Sequence, residues 1–210
     1  MASGPRACVG RFVHAFSVRN RRRKAGLIQA VIDEQRASTA LLVGVEAAAF
    51  PWSNIVERAV VDKLPSTIAS GLGPRIGMGT RELLCDGRRL PFRDDSFDLV
   101  VSNAVIEHVG DESDQVAFVA EHHRCGRAFV ITTPNLLFPV ESHTQAVFLH
   151  WSRVWRARHP VEFSRLLTRR SFRRLLPADG TRIIGRIWSP AFVAVHVCSS
   201  DCETGPRTDG

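Results

Sequence analysis

Along the chain, short runs of apolar residues alternate with stretches in which apolar positions recur every three or four residues, and the two periods predict different elements. Residues 11–36 carry Phe12, Phe16, Leu27, Ile28, Val31 and Ile32 at helical spacing, whereas residues 1–10 lack such a pattern and are read as disordered. A first strand is expected over 40–45. The helix that follows begins near Ser53, presents Ile55, Val56, Ala59 and Val60, and ends at Pro65, which cannot continue a helix. Further strands are expected at 66–70, 82–85, 97–102 and 128–132, with a helix over 112–124 that turns Val116, Phe118, Val119 and Ala120 inward. Beyond a loop-rich insert at 136–160, a helix near 169–176 takes Thr168 as its N-cap. Two strands, 182–188 and 192–197, close the pattern as a hairpin around Ser189-Pro190, and the polar residues 199–210 are expected to be disordered.

The run Phe97, Leu99, Val100 and Val101, bounded by Arg93-Asp94-Asp95-Ser96, is apolar on both faces. Strands of that kind lie in parallel sheets covered by helices on both sides. Alternation of strands and helices implies right-handed βαβ units, so the fold class expected is α/β: a Rossmann-like, mostly parallel sheet with an antiparallel terminal pair. Ligands in such folds sit beyond the carboxyl ends of the strands, where Ser102, Asn103, Glu107 and His108 fall. A chain of 210 residues buries one sizeable core, so residues 1–210 are read as a single domain.

Composition narrows the picture. No run reaches the roughly 18 apolar residues of a membrane span, and the basic start lacks a leader's apolar segment. The reading is a cytoplasmic protein without a transmembrane segment. Cys8, Cys85, Cys125, Cys198 and Cys202 are scattered, without the paired spacing of a disulfide framework or a zinc site, and no metal is expected. The net charge is +7, with arginines clustered at Arg19, Arg21, Arg22 and Arg23, beside Lys24, and again from Arg153 to Arg186. Such charge suits nucleic acid, anionic lipid or an acidic substrate. No aromatic-interleaved RNA-binding signature accompanies it, so a solvated basic face is favoured over a nucleic-acid site. Nothing in the pattern sets the oligomeric state.

Leu90-Pro91-Phe92, Asp95-Ser96-Phe97-Asp98, Val100-Val101-Ser102-Asn103 and Val105-Ile106-Glu107-His108-Val109 together resemble the fourth-strand signature of class I S-adenosylmethionine-dependent methyltransferases of the type 11 group. The resemblance spans about residues 38–135, and the terminal strand pair agrees with that family's seven-stranded sheet. It implies S-adenosylmethionine as cofactor. It also implies that Asp86, after the third strand, meets the adenine with Gly87 beside it, and that Asn103 and Ala104 line the methionine side. Glu107 and His108 shape the floor of such sites. His108 is the candidate general base, since imidazole moves protons near neutral pH. In this family the insert after the fifth strand usually builds the acceptor pocket, and here Glu141, His143, His150 and Trp151 combine titratable groups with an aromatic wall.

The chain departs from the family on the cofactor's grip. The first strand runs through Leu41-Leu42-Val43-Gly44-Val45-Glu46 into Ala47-Ala48-Ala49, so of the glycine-rich turn Gly44 alone is kept. Gly71 stands where the family has an acid for the ribose hydroxyls, leaving Glu46 to substitute from the first loop. The resemblance thus implies methyl transfer to a small-molecule or lipid-like acceptor. The alternative is a non-catalytic protein of the same fold, binding or regulatory, with a weakened cofactor site.

Overall fold

The computed structural model describes residues 5–47, 53–73, 77–139, 148–158 and 165–197. In chain order the elements are α1 (Pro5–Glu34), β1 (Ala40–Val43), α2 (Ile55–Lys63), β2 (Thr67–Gly71), β3 (Arg81–Leu84), β4 (Phe97–Asn103), a 3-10 turn (Ile106–His108) and α3 (Glu112–Cys125). There follow β5 (Gly126–Pro134), a second 3-10 turn (Leu149–Trp151), α4 (Arg153–Ala157), α5 (Arg169–Leu175), β6 (Thr181–Ile184) and β7 (Ala191–Val197). One seven-stranded sheet forms in the order β3-β2-β1-β4-β5-β7-β6. β1 pairs in parallel with both β2 and β4, and β4 with β5, while β7 runs antiparallel to β5 and β6. The strand order reverses between β1 and β4, which places the crevice for a ligand at their carboxyl ends.

Alternate residues of each central strand serve opposite layers. Leu42, Leu99, Val101 and Val130 pack under Ile28, Val31 and Ile32 of α1 and under Val56 and Val60 of α2. Leu41, Val43, Val100 and Phe129 pack against Phe118 and Val119 of α3 and Phe172 of α5. This two-sided burial is why β4 is apolar on both faces. Thr168 caps α5 by accepting a hydrogen bond from the Ser171 backbone, as its position implied.

Three expectations are corrected. Residues 5–10 are the start of α1 rather than disordered, whereas residues 1–4 and 199–210 lie outside the described residues. Val116 is 48% exposed and Ala120 is also exposed. The buried face of α3 is Gln115, Phe118, Val119, His122 and Cys125, and its two polar side chains are partly satisfied by hydrogen bonds, with Gln115 Oε1 and His122 Nε2 left without a partner among the described residues. Gln115 Nε2 donates to Ile106 O at 2.9 Å, and His122 Nδ1 pairs with Phe118 O at 2.7 Å. The strand expected over 182–188 ends at Ile184, because a turn fastened by Arg186 N donating to Ser189 Oγ at 2.9 Å takes over there.

Candidate functional site

Three glycines bring the strand tips together. Gly44 leaves β1 with φ of 76°, and a Cβ there would stand 2.4 Å from Val105 Cγ1. Only glycine lets the chain after β1 take this left-handed path and touch the segment after β4. Val45 N then donates to Ser70 O at 2.8 Å, which draws the chain towards β2. A Cβ on Gly71 would lie 2.2 Å from Val45 O, and one on Gly87 2.6 Å from Phe118 Cε2 and 2.8 Å from Val43 Cγ1. Segments 44–46, 71, 85–87 and 103–105 therefore share one edge of the sheet. A groove of about 770 Å³ among Thr39, Thr67, Arg81 and Ser96 opens instead at the amino ends of the strands, away from that edge.

At the tip of β3, Asp86 is held by its neighbour. Arg88 N donates to Asp86 Oδ1 at 2.9 Å, and Arg88 Nη2 meets Oδ2 at 2.6 Å while Nη1 reaches Asp114 Oδ1 at 2.7 Å. Hydrogen bonding from the Arg88 guanidinium keeps the Asp86 carboxyl below the usual carboxylate range, so it is anionic at neutral pH. The aspartate organises its turn and stays partly exposed.

The tip of β4 holds a buried polar cluster in which Asn103 and Glu107, expected there from the sequence, meet Lys24, Glu57 and Thr132, which the sequence reading missed. Lys24 of α1 donates from Nζ to Asn103 Oδ1 at 2.5 Å, and Thr132 Oγ1 donates to the same oxygen at 2.8 Å. Asn103 Nδ2 donates to Glu57 Oε1 at 2.8 Å. Glu107 is fully buried and accepts from Thr133 Oγ1 at 3.2 Å. Burial pushes the Lys24 ammonium down to about 8, against the opposing pull of Glu57 and Glu107. Glu57 Oε2 is buried without a hydrogen-bond partner among the described residues. The signal was present in the sequence: Lys24 stands four residues before Ile28 and eight before Ile32, on the apolar stripe rather than on the basic face.

Ala104 takes φ of 57° and its N–H donates to Thr132 O at 3.0 Å. Glu46 is exposed, and its backbone oxygen accepts from Asn54 Nδ2 at 3.0 Å. His108 is exposed at the end of its 3-10 turn, with its backbone N donating to Val105 O at 2.8 Å. Of the acceptor-side set, Glu141 and His143 lie outside the described residues, and His150 is described by its backbone alone, in the Leu149–Trp151 turn. Trp151 is fixed by its indole N–H, which donates to Leu136 O at 2.9 Å, and its ring lies 5.1 Å from that of Phe148.

These residues fit an adenosyl cofactor with one substitution. Val45 O fills the space of a Gly71 side chain, so β2 offers no carboxylate, but exposed Glu46 follows directly and presents one. Among the described residues, no group of three or more His, Cys, Asp or Glu could hold a metal ion, and no helix is long and apolar enough to cross a membrane.

A family model for the methyltransferase domain (type 11) matches residues 61–128. An S-adenosylmethionine-dependent methyltransferase of Thermotoga maritima superposes with a TM-score of 0.61 at 13% identity, over 91% of this chain and 96% of that one. The methyltransferase domain of the bacterial Hen1 protein CtHen1 gives 0.59 at 16% identity, over 86% and 99%. A chain from the complex of the Haloferax volcanii Trm112 methyltransferase activator with a methyltransferase gives 0.51 at 15%, over 77% and 82%. No curated protein matches. The family model matches a part of the chain, and the superpositions show that the sheet has the fold of S-adenosylmethionine-dependent methyltransferases. The match begins at residue 61, beyond the first strand and its degenerate glycine turn.

Proposed function

We propose that the chain transfers a methyl group from S-adenosylmethionine to a small-molecule or lipid-like acceptor, acting as one domain over residues 1–210. The supporting observation is the convergence of the Gly44, Gly71, Gly87 and Asn103 segments at the point where the strand order reverses. When bound, the cofactor supplies a methyl group on a sulfonium, an electrophile with a good leaving group. The chain's own contribution is then mainly to position and to exclude water. Asp86 would accept the adenine's amine hydrogens, Glu46 would take the ribose hydroxyls in place of the missing acid, and Ala104 would border the methionine portion. His108, exposed at the mouth, is the candidate base for an acceptor whose nucleophile carries a proton. Trp151 gives the acceptor side an aromatic wall.

A second reading has its own observation. Lys24 occupies the Asn103 side chain, and Val45 O excludes any residue but glycine at 71. Those features also suit a non-catalytic protein that keeps the fold and binds cofactor feebly. Isothermal titration with S-adenosylmethionine separates the two. Saturable heat in the micromolar range, weakened in Asp86→Ala without loss of fold, supports the transferase. Absence of heat at millimolar cofactor supports the binding protein.

A further inference from the structure

Beyond β5 several large apolar side chains are exposed. Trp188 is 77% exposed and Ile187 54% on the β6–β7 turn, and Leu149, Val154 and Trp151 are 53%, 64% and 46% exposed on the insert. A single buried side chain joins the two loops. Asn135 Nδ2 donates to Ile187 O at 2.6 Å and to Ser189 O at 2.9 Å, while its Oδ1 accepts from Leu137 N at 3.0 Å. The Trp151 indole then bonds to Leu136, the very next residue. Asn135 thus ties the β6–β7 turn and the insert into one platform at the carboxyl end of β5, the edge of the sheet where the candidate site lies.

Exposed arginines rim the platform. Arg186 precedes Ile187, Arg153 opens α4 and Arg158 follows it, and none of the three has an ion-pair partner among the described residues. Arg23 of α1 borders a crevice with Ile184, Gly185 and Ala191, directly behind the same turn. From this we propose that the platform docks on an anionic lipid bilayer. Trp188 and three aliphatic side chains would enter the interfacial region while the arginines meet lipid phosphates. The aliphatic residues argue against RNA, which is bound by aromatic stacking and charge rather than by leucine, isoleucine and valine. Self-association through the same face would set its arginines against one another. The surface stands independently of the methyl-transfer reading, although it would deliver a lipid-like acceptor to that site.

Flotation of the full chain with vesicles of neutral phosphatidylcholine, with and without phosphatidylglycerol, tests it. The chain is expected to float with the anionic vesicles alone, and to release as salt rises through the screening range. Trp188→Ala should weaken partition about tenfold or more, the effect of withdrawing one large apolar group. Arg186→Glu should weaken it further on anionic vesicles. Because both side chains are exposed, unchanged thermal melts verify that the variants fold. Failure to float, flotation that Trp188→Ala leaves unchanged, or a concentration-dependent dimer abolished by Trp188→Ala would each overturn the proposal. So would tighter binding to single-stranded RNA than to anionic vesicles at equal salt. Cofactor titration on the same samples reads the transferase hypothesis separately.

Discussion

At the scale of single residues, the chemistry rests on groups whose surroundings were set by distant parts of the chain. Asp86 is anionic and already turned by Arg88, so Asp86→Ala should lower S-adenosylmethionine affinity about tenfold, a loss of one charged hydrogen-bonding partner, measured by titration calorimetry. Lys24 makes a different prediction. It compensates Glu57 and Glu107 inside the fold, and Lys24→Met should destabilise by about 3–5 kcal/mol in urea unfolding, because two buried carboxylates lose their cation. Adding Glu57→Gln should restore part of that loss. Since the folded ammonium titrates near 8 and the unfolded one near 10.5, the unfolded chain binds more protons between those values. The native protein should therefore gain stability relative to Lys24→Met as pH rises through that window. A lysine beside an arginine run betrays its burial only by falling on the apolar stripe, and nothing local reveals that its partner belongs to a strand tip.

At the scale of elements, the strands and helices were legible because two-sided burial leaves a clear apolar signature, as in Phe97–Asn103. α3 was legible in place but not in orientation. Its core face includes Gln115 and His122, which hydrophobicity alone assigns to solvent. Burial holds His122 near 4, far below its unfolded value of 6.5. The unfolded chain takes up the proton first, so the stability this neutral imidazole confers is complete above 6.5 and is lost as pH falls towards 4. His122→Leu should flatten the wild-type decline between pH 6.5 and 4.5 in denaturant titrations, leaving the smaller contribution of His196, which burial also lowers. The tip of β2 gives a packing prediction. Gly71→Ala should cost about 1–3 kcal/mol or more in thermal or urea unfolding, since its Cβ would press on the Val45 carbonyl at 2.2 Å. In sequence the missing ribose acid looks like a loss of function; in the fold it follows from the path of the first loop.

At the scale of the whole molecule, the mostly parallel sheet and its antiparallel closing pair followed from strand–helix alternation and the resemblance of the fourth-strand motif, whereas the strand order and the exposed apolar platform did not. Its side chains stand on the insert and on the β6–β7 turn, segments far apart in sequence that meet through Asn135, a contact no periodicity encodes. The Lys24–Asn103 contact spans 79 positions of the chain, and that separation bears on biosynthesis. As the polypeptide leaves the ribosome, its first helix emerges with an ammonium it cannot bury until the fourth strand has been translated. Final docking of that helix therefore waits until Asn103 has been made, although its apolar stripe can meet Val56 and Val60 of α2 before then.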